Sequence, residues 1–347
     1  MEIKQLHTDK NKLLAGFVES RIGGRRENQD SFDAKELPSG FVVTVCDGMG
    51  GGPGGKIASA IAVREIVMAI GASTGDEPIP DMLVRAVKQA NLSIIEAGEN
   101  EPALRGMGST ATVLFINDYA AYVAHVGDSR VYQLRGHKKL FRTFDHSMVF
   151  DLVKQGVITE EQARLSAQSN VITRALGISP DVEVEVAEMP YEKGDRFMLT
   201  TDGVHGAMSE RELVRLASSR KNVLGAIVDN IATIVDDIGV STGASHDNLT
   251  VAIIETKHKS KLNPIMSRNT RIFVTALSLV CLLSVGFNLK QYSKYNSGIQ
   301  TSAFKAKIDS MSSKLQEKED SIQRLSTDLR ACQSNIDSIK SLQTLFE

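Results

Sequence analysis

The sequence predicts an α+β fold, its sheets covered by helices, followed by an apolar span and a heptad-patterned tail. Three observations carry this: successive β-branched runs, amphipathic stretches between them, and a sharp change of composition near residue 257. Strands are expected at 41–46, 110–116, 119–126, 130–135, 182–186, 196–201 and 249–255, each rich in β-branched or aromatic residues. Ile116-Asn117-Asp118-Tyr119 reads as a tight hairpin with a two-residue turn. Helical spacing appears at 56–70, 81–97, 148–155 and 223–238.

Composition narrows the class. A chain of 347 residues with 42% hydrophobic and 24% charged residues can bury a substantial core. Its net charge of −2 gives no electrostatic footprint for nucleic acid, so none is expected as a partner. Cys46, Cys281 and Cys332 lie too far apart to suggest a zinc cluster or a disulfide framework. Residues 1–12 are polar and lack an apolar h-region, so no cleaved signal peptide is expected and the first domain, 1–256, stays in a reducing compartment.

A basic linker, 257–270, leads into the second segment. Residues 272–289 are apolar apart from Thr275, Ser278, Ser284 and Asn288, close to the roughly 20 residues that cross a bilayer. A buried core helix of this length would usually carry a charge; none interrupts this run. A transmembrane helix is therefore expected at 271–289, with the lipid bilayer as partner. Lys257, Lys259, Lys261, Arg268 and Arg271 precede it, against Lys290 and Lys294 beyond, which favours a cytoplasmic first domain and an extracytoplasmic tail. In that tail, 302–347, Ile308, Leu315, Ile322, Leu329 and Ile336 fall at heptad a, and Met311, Leu325, Cys332, Ile339 and Phe346 at d. Lys318 interrupts d and Gln343 interrupts a. The repeat predicts a coiled coil, and with it a homodimer.

The chemistry lies in the first domain, where acids stand at the edges of apolar strands. Asp30 follows Arg25-Arg26-Glu27-Asn28-Gln29, Asp47-Gly48 ends the strand at 41–46, and Asp128 follows Val126-Gly127. Asp202-Gly203 follows the strand at 196–201, and Asp247-Asn248 precedes the one at 249–255. One Asp-Gly is simply a turn signal. Several acids at strand ends can converge on one rim, and an all-oxygen set suits Mg²⁺ or Mn²⁺ where zinc would want His and Cys. Two such ions sharing a carboxylate would lower the pKa of a bound water and neutralise a phosphate, which a guanidinium such as Arg25 could grip through two oxygens. The nearby run Gly50-Gly51-Gly52-Pro53-Gly54-Gly55-Lys56-Ile57 imitates a nucleotide-binding loop, but Ile57 has no hydroxyl for Mg²⁺.

In order along residues 17–256, the chain resembles the metal-dependent, 2C-type protein phosphatases, in particular bacterial-type members. The resemblance rests on Arg25-Arg26-Glu27-Asn28-Gln29-Asp30, Val45-Cys46-Asp47-Gly48-Met49-Gly50-Gly51 and Gly106-Met107-Gly108-Ser109-Thr110-Ala111. It continues through Ala124-His125-Val126-Gly127-Asp128-Ser129-Arg130, Asp145-His146-Ser147 and Ile172-Thr173-Arg174-Ala175-Leu176-Gly177. Leu199-Thr200-Thr201-Asp202-Gly203-Val204 and His246-Asp247-Asn248-Leu249-Thr250 complete it. It implies a four-layer αββα sandwich and hydrolysis of phosphoserine and phosphothreonine in proteins by water activated between two Mn²⁺ or Mg²⁺ ions. Asp47 would bridge the ions, with the Gly48 carbonyl on one, Asp202 and Asp247 on the other, and a third ion at Asp128 with Asp202. Asp30 belongs to the same metal set, Arg25 would bind phosphate, and Arg25, Asp47 and Asp202 are the expected catalytic residues. Residues 148–170 correspond to a flap beside the cleft. No phosphoenzyme is implied, so Cys46, Ser109 and Ser129 are expected to serve packing.

Three positions depart from the family pattern. Met49 replaces a histidine that animal members carry, Gln29 replaces a glutamate, and Gly206 replaces an aspartate found in some third-metal sites. His146, His205 and His246 lie near the motifs and are read as structural. The expected partners are phosphorylated proteins and an opposing Ser/Thr kinase. The competing reading is a membrane receptor that uses a phosphatase-like domain only to bind phosphoprotein or a partner, and the retained acids weigh against it.

Overall fold

The computed structural model describes residues 2–7, 14–50, 53–166, 168, 171–242, 246–262 and 301–343. The chain divides into two compact units, Met1–Ile265 and Met266–Glu347. Twelve strands are described in the first, all paired antiparallel. One sheet runs β1 (Glu2–His7), β2 (Leu14–Arg21), β12 (Leu249–Thr256), β11 (Arg196–Thr200), β8 (Arg130–Arg135), β9 (Lys138–Arg142). The other runs β10 (Glu185–Met189), β7 (Ala121–Val126), β6 (Ala111–Ile116), β4 (Gly40–Met49), β3 (Asp30–Leu37), with β5 (Gly108–Ser109) on the end of β4.

Side-chain alternation along the strands builds the layers. On β4, Phe41, Val43 and Val45 enter a core between the sheets, with Leu114, Ile116, Phe197, Leu199, Ala252 and Ile254. Val42 and Cys46, pointing the other way, pack under α1 (Gly54–Gly71) and α2 (Ile79–Asn100). On β12, Leu249, Val251 and Ile253 face α6 (Glu210–Ala217) and α7 (Leu224–Ser241) instead. Two strand faces and two helical faces thus make three cores and four layers, helix, sheet, sheet, helix. In α1, Ala58, Ala62, Ile66 and Ile70 recur at i, i+4 and are buried. Each large aliphatic side chain buried in these cores contributes about 1.5–3 kcal/mol.

The elements missed by hydrophobic patterning are mostly polar. β1, β3 and β9 are sheet edges, where a strand needs backbone partners on one side only. β2 is internal but carries buried Glu19 and Ser20, which broke its pattern. The hairpin at 116–119 is corrected: β6 ends at Ile116 and β7 starts at Ala121, so four residues make the connection. The Asn117 side-chain oxygen accepts from the Tyr119 and Ala120 amides at 2.9 and 3.0 Å, stabilising the longer turn. The strand expected at 182–186 begins only at Glu185 and runs to Met189.

After β12 the chain folds back over the first unit: the Ser260, Lys261 and Leu262 amides donate to the carbonyls of Tyr191, Asp118 and Tyr119. No helix among the described residues is long and apolar enough to cross a membrane, and the expected span at 271–289 lies outside the described residues. In the second unit, α8 (Thr301–Gln343) is one 43-residue helix, covering most of the stretch where heptad spacing was read.

Candidate metal and phosphate site

The acids meet where the ends of several strands reach the same rim. Asp30 opens β3 and is the direct cross-strand partner of Asp47, near the end of β4. Asp202 begins α5 (Asp202–His205), a four-residue helix straight after β11, and Asp247 lies two residues before β12. Asp128 lies in the turn from β7 to β8.

Hydroxyls and amides of neighbouring strands hold these backbones in place. The Asp47 amide donates to Thr110 Oγ1 at 2.9 Å, and its carbonyl accepts from the Thr110 amide at 2.8 Å and Ser109 Oγ at 3.1 Å. Thr110 Oγ1 is also 2.8 Å from Ser129 Oγ, which ties the Asp47 strand to the Asp128 turn. Gly127 in that turn has φ +103°, and a Cβ there would sit 2.6 Å from Thr110 Cγ2, so only glycine fits. Asp30 Oδ2 accepts from Thr201 Oγ1 at 2.9 Å and Thr250 Oγ1 at 2.6 Å, joining the two sheets across the site. Asn248 pins the loop carrying Arg25: its Nδ2 donates to the Ile22 and Glu27 carbonyls, and its Oδ1 accepts from the Gln29 amide.

The electrostatics show what the site is suited to hold. Burial pushes the carboxyls of Asp30, Asp47, Asp128 and Asp202 upward, and their mutual repulsion pushes the same way. Asp30 Oδ1 and Asp202 Oδ1 are buried without a hydrogen-bond partner. Inward-facing, unpartnered carboxylate oxygens with no histidine or cysteine among them are the donor set of hard divalent cations, so these residues fit Mn²⁺ or Mg²⁺. The acids act on one another as a cluster: Asp47 is repelled by Asp30, Asp202 and Asp128, and Asp30 by Asp202 and Asp247.

Arg25 stands at the mouth, half exposed, with Nη2 2.7 Å from Asp247 Oδ2. That carboxylate, first by its hydrogen bond and then by its charge, raises the guanidinium pKa further. Gly48 must be glycine, because a Cβ there would lie 1.9 Å from the Gly55 carbonyl oxygen.

The three departures also have structural surroundings. Met49 pairs with Gly108 at the end of β4, the Gln29 carbonyl accepts from the Gly48 amide, and the Gly206 carbonyl accepts from Arg164 Nη1 at 3.0 Å. The histidines are held by neighbours. His205 Nδ1 lies 3.0 Å from Thr200 Oγ1, His246 Nε2 3.0 Å from Asp236 Oδ1, and His146 Nδ1 accepts from the Gly127 amide.

The stretch that the resemblance reads as a flap holds two short helices, α3 (Met148–Lys154) and α4 (Glu160–Arg164), with a small core of Val149, Phe150 and Ala163. Sequence reasoning missed what anchors it. Arg130 forms a buried two-pronged pair with Asp145, 2.7 and 2.6 Å, and its guanidinium lies 4.9 Å from the Phe150 ring centre. Arg142 reaches Glu160 and Glu210, each at 2.6 Å. Arg130 and Asp145 both stand within motifs of the sequence, but their pairing spans a hairpin that no local spacing reveals.

Comparison with known proteins agrees with this geometry. The sequence model described as protein phosphatase 2C matches residues 19–226. A serine/threonine phosphatase stp of Listeria monocytogenes is 33% identical over 249 residues, 70% of this chain and 96% of that protein. The crystal structure of the PPM Ser-Thr phosphatase MsPP from Mycobacterium smegmatis, in complex with cacodylate, superposes with a TM-score of 0.60 at 30% identity, covering 70% of this chain and 99% of that one. The catalytic domain of the serine threonine protein phosphatase PstP, solved with two manganese ions, gives 0.61 at 27% identity, covering 71% and 99%. With its sandwich, its oxygen-only acid array and these likenesses, the chain belongs to the protein phosphatase 2C family and is a Mn²⁺/Mg²⁺-dependent serine/threonine phosphatase.

Proposed function

We propose that the chain removes phosphate from phosphoserine and phosphothreonine of proteins at a binuclear site, opposing a Ser/Thr kinase from the inner face of a membrane. The observation that carries the site is the array of buried, mutually repelling aspartates with unpartnered oxygens at Asp30 and Asp202. Asp47, the Gly48 carbonyl, Asp202 and Asp247 would hold two ions, and Asp128 with Asp202 a third. Bound there, the ions supply an activated water and neutralise phosphate charge.

The chain's own groups do the rest. Arg25, close enough to Asp247 for a 2.7 Å contact, can turn its guanidinium to two phosphate oxygens, orienting the ester for attack. Thr201 and Thr250 keep one oxygen of Asp30 occupied, which leaves the other facing the array. Asn248 fixes the Arg25 loop against β12, so the phosphate grip and Asp247 move as one.

For the remainder, 271–289 is read as the anchor, the first domain as cytoplasmic, and 302–347 as an extracytoplasmic coiled coil that pairs two chains. The test is phosphopeptide hydrolysis by the full chain in detergent, with a metal titration. Turnover that rises with Mn²⁺ or Mg²⁺ and stops with chelator is the expected result. Phosphopeptide binding without turnover at any divalent ion would favour the receptor reading instead.

A further inference from the structure

The aspartates gather at one end of the sandwich, and the other end is built differently. In the register of β8, β11 and β12, Thr200 pairs with Arg130 and Val251, on the side of Asp128, Asp202 and Asp247. At the opposite end Arg196 pairs with Leu134 and Glu255. At about 3.4 Å per residue, the run from Arg196 to Thr200 alone separates the two ends by roughly 14 Å.

The far end is rich in cations. Arg196 donates to the Ala217 and Ser219 carbonyls at 2.7 and 2.6 Å, which folds the loop after α6 onto the start of β11. Arg220 in that loop reaches the Gly194 carbonyl and Glu255. Glu255 alone faces three cations, Arg196, Arg220 and Lys257. Lys193 and Lys221 are exposed, and among the described residues neither has an ion-pair partner. A cavity of about 400 Å³ opens here, lined by His137, Arg215, Arg220, Lys221, Asn222 and Asn230. No acid lines it, and the first turn of α7 has none either.

The chain leaves the first unit at this same end. The Gly194 amide donates to the Thr256 carbonyl at 2.8 Å, and the Thr256 amide to the Asp195 carbonyl at 3.0 Å. Lys259 follows, 2.8 Å from Glu192. The Leu262 amide then meets the Tyr119 carbonyl in the β6–β7 turn, the end of the second sheet remote from Asp128. From Leu262 to Arg271, where the apolar run begins, is nine steps along the sequence, which span at most about 32 Å. An anchor at 271–289 would keep this end within reach of a bilayer, and charge then decides which way the domain turns.

We propose that this basic end of the first unit binds anionic phospholipid headgroups, seating the domain on the bilayer with the aspartate rim turned away from it. The inference rests on the reading of 271–289 as a membrane anchor. A lipid fits this end better than a phosphoprotein substrate, whose phosphate has to reach the opposite end. Each Lys or Arg close to an anionic surface adds about fivefold to the attraction, and only within a screening length of about 8–10 Å. The whole chain carries a net charge of −2, so the attraction is local to this end and orients the domain.

The experiment reconstitutes the full chain into vesicles of phosphatidylcholine alone, or of equal parts phosphatidylcholine and phosphatidylglycerol. A membrane-impermeant reagent acetylates outward-facing domains, and mass spectrometry reads the rate at each lysine. Lys193, Lys221 and Lys259 should label at least about tenfold more slowly on the anionic vesicles, and about 0.5 M salt should restore the rate. Lys56, exposed beside Gly55 where that residue packs on Gly48, should label equally on both. Arg215→Glu combined with Lys221→Glu reverses two exposed charges, and should abolish the protection of Lys193 and Lys259 while turnover of a soluble phosphopeptide stays native. Equal labelling on the two vesicles, protection that survives the charge reversal, or protection of Lys56 in place of these lysines overturns the proposal. A soluble acidic polypeptide that protects the same lysines as strongly would assign this end to an acidic protein and overturn it too. The anchor is read separately, by flotation with phosphatidylcholine vesicles after an alkaline carbonate wash. A chain washed off there has no anchor, and protection by added anionic vesicles still reports the lipid-binding face on its own.

Discussion

At the scale of single residues, the site separates groups that hold metal from groups that hold substrate or fold. Asp202→Asn removes one negative charge from a buried array and should reduce Mn²⁺-dependent turnover at least about 100-fold at limiting metal, with thermal stability kept. Native-like turnover in the folded variant would remove Asp202 from the metal set. Arg25→Ala should instead raise KM for phosphopeptide about tenfold or more while the Mn²⁺ titration midpoint barely moves. A loss mainly of metal affinity would mean that its contact with Asp247 matters more than any with phosphate. His205 gives a pH dependence with a definite sign. Burial, then the nearby Arg130 and Arg142, lowers its pKa well below the usual value. The unfolded chain therefore takes up a proton below about pH 6.5 that the folded chain refuses, so stability is full above 6.5 and declines as pH falls. Urea midpoints at pH 7.5 and 5.5 should differ less in His205→Gln than in the native chain. An equal drop in both would place the acid sensitivity elsewhere. The sequence displayed all five aspartates and Arg25, because their dipeptides sit beside readable strands. It hid Thr201 and Thr250 as ligands of Asp30, since those contacts are 171 and 220 residues apart in the chain.

At the scale of elements, legibility followed burial. Strands β4, β6, β7, β8, β11 and β12, buried on both faces, read as apolar runs. The polar edges β1, β3 and β9 left no such trace, and α5, at four residues, is too short for a 3.6-residue period to register. The α3–α4 segment is the element with the smallest core of its own. Its own core is three buried residues, and its tie to the sandwich runs through Arg142, which is nearly fully buried between Glu160 and Glu210 and stacks near Phe144 and Phe150. Hydrogen bonds to charged groups contribute about 1.5–3 kcal/mol, so Arg142→Met should free α3 and α4 locally. Amide exchange in 148–164 should accelerate roughly 10–100-fold while β11 and β12 change little. Uniform acceleration across the domain would show that Arg142 supports the global fold, and no change that the flap is held by its own packing.

At the scale of the whole molecule, the catalytic unit buries most of its apolar side chains in its own cores, while the described apolar side chains of the tail are exposed. Three cores hold the buried strand and helix side chains of the first unit. In α8, by contrast, Ile308, Met311, Leu315, Ile322, Leu325 and Leu329 are 53–72% exposed, and these are the a and d positions of the heptad reading. A lone helix draws most of its stability from packing its apolar face, and among the described residues these side chains are exposed. Burying each of these side chains in a seam contributes about 1.5–3 kcal/mol, enough in sum to pair two helices. The expected state is a parallel, in-register dimer, in which Cys332 of each chain stands at d opposite its counterpart. Facing d positions can fall within the roughly 4.4–6.8 Å Cα separation a disulfide tolerates, and an extracytoplasmic tail would meet an oxidising milieu. Thiol-blocked membranes run without reductant should then show a dimer band, and Cys332→Ser should abolish the band while sedimentation of the solubilised chain still reports a dimer. Leu325→Lys, which places a charge in the seam, should convert that dimer to monomer. A native chain that sediments as a monomer would leave the exposed stripe for another partner and remove the homodimer. A dimer that survives Leu325→Lys would move the contact off the heptad seam.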